Sequence, residues 1–281
     1  MGISELLYKD INRNAFKRML IRPLVSGPVS ELSGLILDSS FSKLLIDPFI
    51  KANKIKKQDF ILDDINSFND FFCRKIKPGL RPTDMSAKSL VAPCDGLLSA
   101  YRISGGTVLG VKGSSYKIDR LLRDRKLAAT YEGGYALVYR LCVNHYHRYM
   151  WFDSGKKYLD RRIEGVYHTV RPVALAELPV YVENTREYSV IDTKNFGRCV
   201  QMEVGAMLVG RIVNNNPFPA MVKRGREKGH FEYGGSTVIV LVSKGKAGLR
   251  KDIKEALDTG KEIPVVMGEV IGTKKYAKKK K

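Results

Sequence analysis

From residue 90 onward, short apolar runs alternate with glycine-bearing turns: "LVAPCDGLLSAYRI", "GTVLGVKG", "YALVYRLCV", "CVQMEVGAMLVGRIV" and "STVIVLV". Runs of this length bounded by turn residues predict a β-rich core. The last of them, Val238 to Val242, is unbroken and reads as a buried strand. Two short helices, in "YKIDRLLRD" and near "LRKDIKEALDTG", interrupt the pattern. Residues 1–60 have a different texture. Leu6, Leu7, Ile11, Phe16, Met19 and Leu20 recur at helical spacing with basic residues between them. A second helical stretch, "SELSGLILDSSFSKLLIDPFIKAN", opens on Ser30 as a candidate N-cap. Both stretches suit a basic, surface-lying amphipathic region, although periodicity alone favours an ordinary helical layer packed on a core. Asn66 or Ser67 is placed to cap a short helix through Phe72, and the prolines of "KPGLRP" require a loop after it. The expected fold class is α+β: N-terminal amphipathic helices over residues 1–60, then a mainly antiparallel, β-rich core over residues 61–281.

The formal net charge of +20 calls for an anionic partner: nucleic acid, an acidic membrane surface or an acidic substrate. No RNP-like or KH-like signature supports nucleic acid. The last eight residues, "KKYAKKKK", hold six lysines, and a solvated tail is the plain alternative to a binding role. Asp10, Arg13, Lys17 and Arg18 interrupt any apolar segment that a secretory signal would need. No stretch of eighteen apolar residues is present, so a spanning helix is not expected. Cys73, Cys94, Cys142 and Cys199 are far apart and form no CxxC pair, which predicts free thiols.

Candidate chemistry is thinly spread. Asp95 stands before a glycine at the end of an apolar run, where a plain turn aspartate is the usual explanation. His145 and His147 are two apart and on a strand would share a face, but a metal site needs a third ligand and none is near. His168, followed by Thr-Val, fits a satisfied structural residue as well as a functional one. No GxSxG elbow, Walker A loop or dinucleotide fingerprint occurs. The order Asp, His, Ser is nonetheless that of a charge-relay set. Ser236 follows Gly234-Gly235 and opens the buried strand. Its hydroxyl adjoins the Gly235 carbonyl, and an activated Oγ can attack that carbonyl at high effective concentration. A side chain at position 235 would obstruct the distorted peptide.

Five segments in unbroken order resemble the phosphatidylserine decarboxylase proenzymes: "FFCRKIKPGLRP", "APCDG", "HYHRY", "MEVGAMLVGRI" and "KGHFEYGGSTVIVL", within residues 60–272. The resemblance implies self-cleavage between Gly235 and Ser236 into a β chain of residues 1–235 and an α chain of residues 236–281. Asp95 and a histidine would activate Ser236, which becomes a covalent pyruvoyl group, the cofactor that forms a Schiff base with phosphatidylserine and drives loss of CO2 to give phosphatidylethanolamine. No metal is implied. The chain departs from the commoner family pattern in three places. Gly234 replaces a leucine, Met150 replaces a second histidine, and His145 replaces an aspartate. The relay base is therefore His147, by the motif match, or His168, with the other serving as a general acid. The partners implied are phosphatidylserine and the anionic membrane surface on the cytoplasmic face, met as a peripheral membrane protein; a homodimer is a fair default. Two alternatives stay open: a catalytically silent homologue that only binds anionic lipid, and a pyruvoyl decarboxylase acting on a different amino-acid-headed substrate.

Overall fold

A computed structural model describes residues 3–109, 115–206, 211–215, 218–232 and 236–275. An eight-stranded antiparallel sheet runs through it in the order Ala220–Val222, Gly155–Ile163, Arg186–Thr193, Gly197–Val204, Ser236–Val242, Tyr135–Leu141, Gly96–Arg102, Ile263–Val265. The Ser236–Val242 strand lies inside this sheet, and all seven of its residues are buried. Alternation along the strand explains its unbroken apolar run. Val238, Val240 and Val242 pack in one core with Leu137, Tyr139 and Leu141. Ile239 and Leu241 point the other way, into a second core with Ala136 and Val138. A strand covered on both faces has no polar side left to show.

Helices cover the Ile239 face. Ile118–Leu122, Pro172–Glu177 and Val180–Glu183 contribute to it, and so do Tyr8, Ile11, Ile21 and Val25 from the N-terminal helices. The Val238 face is covered by two three-stranded sheets. One pairs Ile212–Asn214, Glu227–Phe231 and Arg148–Met150. The other pairs Ala247–Leu249, Val270–Lys274 and Ser89–Val91. The α+β architecture expected from the run pattern is thus present. The N-terminal helices, Ile3–Tyr8, Ala15–Leu24, Gly27–Asp38 and Ile46–Asn53, are not a loose appendage. Burying an Ile or Val side chain is worth about 1.5–3 kcal/mol, so the four anchors named above tie the first two of these helices firmly to the main core.

Local expectations fared unevenly. Ser67 caps the Phe68–Phe72 helix, accepting from the Asp70 N–H at 3.0 Å. Ser30 does not cap its helix. Pro28 sits in the first turn of Gly27–Asp38, where its missing N–H costs nothing, so the helix starts at Gly27 with Ser26 as the N-cap residue. His145 and His147 do not share a strand face. They lie in the irregular turn between Tyr135–Leu141 and Arg148–Met150, where the backbone bends between them.

Candidate active site

Ser236 is directly opposite Leu141 across the ladder, and opposed residues of an antiparallel pair share a face. Its side chain therefore projects to the Val238 side. Ser236 is fully buried, and its Oγ has no hydrogen-bond partner among the described residues. An unpaired buried hydroxyl costs about 1–3 kcal/mol, which folded proteins seldom tolerate without a use for it. Gly234 and Gly235, and with them the expected scissile junction, lie outside the described residues.

His147 enters from the same side. Its carbonyl accepts the Phe231 N–H at 2.9 Å, and Phe231 belongs to the Val238-face core. Its ring packs on Phe72 with centroids 4.0 Å apart. Nδ1 lies 3.0 Å from the His145 carbonyl oxygen. A carbonyl only accepts, so Nδ1 carries the proton and Nε2 presents a lone pair. That Nε2 is buried and has no partner among the described residues. Burial, with the nearby Arg74 and His145 charges adding to it, holds the imidazole well below its usual range. The ring is thus neutral at physiological pH, in the tautomer a general base requires.

Asp95 occupies a bend just before the Gly96–Arg102 strand. Arg81 grips its carboxylate with two parallel bonds, Nε at 2.7 Å and Nη2 at 2.6 Å, and the Met267 N–H adds a third at 2.9 Å. Gly96 permits the adjoining strand to approach, since a Cβ there would stand 3.1 Å from the Arg140 carbonyl oxygen. Asp95 forms no hydrogen bond with either candidate histidine among the described residues. It shares a cavity of about 350 Å³ with His145 instead. The His145 ring is fixed there by the Cys142 N–H, which donates to Nδ1 at 3.0 Å. Burial lowers the His145 pKa, and the Asp95 charge partly opposes that shift.

His168 belongs to the opposite side of the sheet. Its Nδ1 is 3.2 Å from the Tyr8 hydroxyl and its Nε2 is 3.4 Å from Glu183 Oε2. Its backbone N–H and carbonyl are both held by the Asn184 side chain. The ring thus has contacts at both nitrogens, and they tie the N-terminal helices to the core. Among the described residues no group of three or more His, Cys, Asp or Glu is arranged to hold a metal ion.

Two features of the neighbourhood escaped the sequence reading. Arg81 has been described. The second is a buried ion pair, Lys228 Nζ to Glu203 Oε2 at 2.5 Å. Glu203 is opposite Val238, hence on the Ser236 face, and burial raises its carboxyl to about 7. The signal was available, because Glu203 and Lys228 are the charged residues within "MEVGAM" and "KGHF".

A neutral, buried base has a consequence for pH. Its folded pKa lies below the unfolded value of about 6.5, so the basic form is complete at neutral pH and is lost only on acidification well below that value. Any step that uses His147 as base should run at a constant rate between about pH 6.5 and 8. A rate that climbs through this interval, followed on freshly translated chain, would mean that a less buried group supplies the base.

The family model described as phosphatidylserine decarboxylase matches residues 68–273. Similar curated proteins cover most of the chain. Phosphatidylserine decarboxylase proenzyme 2 of Clostridium acetobutylicum is 38% identical over 272 residues, 96% of this chain and 91% of that one. The phosphatidylserine decarboxylase proenzyme of Ruminiclostridium cellulolyticum is 40% identical over 247 residues, covering 86% and 82%. That of Clostridium perfringens is 40% identical over 249 residues, covering 87% and 85%.

Proposed function

The chain belongs to the phosphatidylserine decarboxylase family, and from that membership we propose that it is a self-processing enzyme that converts phosphatidylserine to phosphatidylethanolamine and CO2. The observation that carries this is the pair of buried, partnerless atoms, Ser236 Oγ and His147 Nε2, on one side of the sheet. A nucleophile and a neutral base kept dry and otherwise unused fit the residue set that pyruvoyl formation requires.

In the precursor, His147 Nε2 takes the Ser236 hydroxyl proton as Oγ attacks the Gly235 carbonyl carbon. The Gly235–Ser236 C–N bond breaks, the amine takes a proton, and an ester remains. Removal of the Ser236 Cα proton expels the Gly235 carboxylate and leaves dehydroalanine. Water then adds to its imine tautomer, ammonia departs, and the new N-terminus is a pyruvoyl group. Burial of Ser236 keeps bulk water from competing with Oγ during the first step. Asp95 acts at one remove. With Arg81 it anchors the cavity holding His145, whose carbonyl sets the His147 tautomer. Once formed, the pyruvoyl carbonyl supplies an electron sink for an amine-bearing substrate, so its carboxylate can be lost as CO2 without a free carbanion.

The protein works at a membrane surface, in this proposal, as a peripheral protein of the cytoplasmic face. Exposed large apolar side chains concentrate in the N-terminal helices, with Leu35 70% and Phe16 64% exposed, and in the 3-10 turn Ser40–Leu45 between two of them, with Phe41 84% exposed. The net charge is +20, and basic residues near an anionic leaflet contribute about 1 kcal/mol each. No single described helix is long and apolar enough to cross a membrane; Ala15–Leu24 and Gly27–Asp38 pass that test only together, bent by 47°. Of the lysine-rich tail, residues 276–281 lie outside the described residues.

Carboxyl-labelled phosphatidylserine in mixed micelles tests the activity. Labelled CO2 should appear, and hydroxylamine, which captures reactive carbonyls, should abolish its release. Lipid binding without release would identify a silent homologue. Release only from another amino-acid-headed compound would move the substrate assignment.

A further inference from the structure

On the Ile239 side, away from Ser236 Oγ, a cavity of about 550 Å³ opens between the Ala15–Leu24 helix and the core. Its apolar wall includes Ile21, Val25 and Val182, and three guanidinium groups, Arg18, Arg22 and Arg123, line it as well. Of the two carboxylates at the cavity, Glu164 pairs with Arg162 at 2.6 Å, and Glu183 lies 3.4 Å from His168 Nε2, so the three guanidinium groups outnumber the carboxylates. Arg18 is steadied by the carbonyls of Ile11 and Asn12. Neither Arg22 nor Arg123 has a side-chain hydrogen bond or carboxylate partner among the described residues. A cavity with an apolar wall and unneutralised cations matches an anionic amphiphile.

The helix itself supplies the orientation. Phe16, Met19, Leu20 and Leu24 recur at three- and four-residue spacing on its exposed face, while Ile21 and Val25 are buried. Arg18 and Arg22, four apart, occupy the flank between those faces. A helix lying with its apolar face in acyl chains holds such flanking arginines at the depth of lipid phosphates. Guanidinium groups also suit phosphate geometry better than ammonium groups do.

We infer that this cavity is a binding site for the phosphodiester headgroup of a glycerophospholipid, gripped by Arg22 and Arg123 beside an apolar wall that takes part of its acyl or glycerol portion. The site rests on the membrane placement proposed above. It does not rest on turnover, because a lipid that is not a substrate can occupy it.

Dihexanoyl phosphatidylglycerol, kept below its micelle-forming concentration, is the probe, titrated into the full chain by calorimetry. Saturable binding of one lipid per chain is expected. Arg22→Gln with Arg123→Gln should weaken it about tenfold or more. Lys254→Gln with Lys261→Gln removes the same charge near the Ile263–Val265 edge of the sheet and should leave binding unchanged. Inorganic phosphate should bind more weakly than the lipid. Absence of saturable binding, equal loss in both double variants, or phosphate binding as tightly as the lipid would each overturn the assignment. Phosphatidylglycerol added to an assay on short-chain phosphatidylserine then separates the sources. A competitive rise in KM means that the site takes the substrate's own phosphate, and an unchanged KM means that it takes a second lipid. Because the titration needs no catalysis, a failed decarboxylation assay leaves its outcome readable.

Discussion

Ser236→Ala should accumulate as one uncut chain, without decarboxylase activity, and should melt no lower than the uncut parent. The first two outcomes follow from losing the nucleophile. The third follows from the structure. The Oγ is buried and makes no hydrogen bond among the described residues, so its removal sacrifices no bond and relieves an unpaired polar group. Relief of that kind is worth up to about 1–3 kcal/mol. Thermal unfolding of Ser236→Ala beside a precursor stalled by another substitution gives the comparison. A variant that melts several degrees lower would mean that Oγ has a stabilising partner in the resting precursor.

His147→Phe should slow processing by roughly 10²- to 10⁴-fold, the usual contribution of a positioned general base. Phenylalanine keeps a ring against Phe72 and so limits the cavity that alanine would leave. His168→Phe should cut at close to the normal rate yet lose stability, because it forfeits contacts to Tyr8 and Glu183 and leaves the buried Tyr8 O–H without its acceptor, with only the Thr169 N–H still bonded to that oxygen. That loss should be on the order of 1–3 kcal/mol. The two variants thus separate a base from a structural tie, and gel densitometry with thermal melts reads both. Reversed phenotypes, with His168→Phe uncut and His147→Phe cut, would transfer the base to His168 and require the sheet to rearrange around Ser236.

The core strand, the capped Phe68–Phe72 helix and the division between helical and β-rich regions were legible because they depend on local pattern. Val238–Val242 is apolar for the plain reason that both faces are covered. Asp95 and His147 could be chosen from short motifs. Their surroundings could not. Asp95 pairs with Arg81 across a proline-bounded loop, and nothing in "KPGLRP" says where that loop folds back. His168 meets Tyr8, 160 residues away. The two-residue spacing of His145 and His147 suggested one strand face, but the chain bends there, and the His145 carbonyl rather than its ring serves His147. Among the described residues no hydrogen bond joins Asp95 to His147 or His168; its carboxylate is held by Arg81 and the Met267 N–H instead. Tertiary placement decided each of these points, and a single sequence carries little record of it.

The central claim is that the chain cuts itself at Ser236 and turns that residue into its cofactor. Intact mass analysis of purified, active protein, with a denaturing gel, tests it most directly. Two chains are expected, 1–235 and 236–281, with the smaller one refractory to stepwise N-terminal degradation. Their summed mass should exceed that of the uncut chain by about one dalton, since water is added and ammonia lost. A single uncut chain in a fully active preparation would contradict the account, and so would a small chain that begins with an unmodified serine.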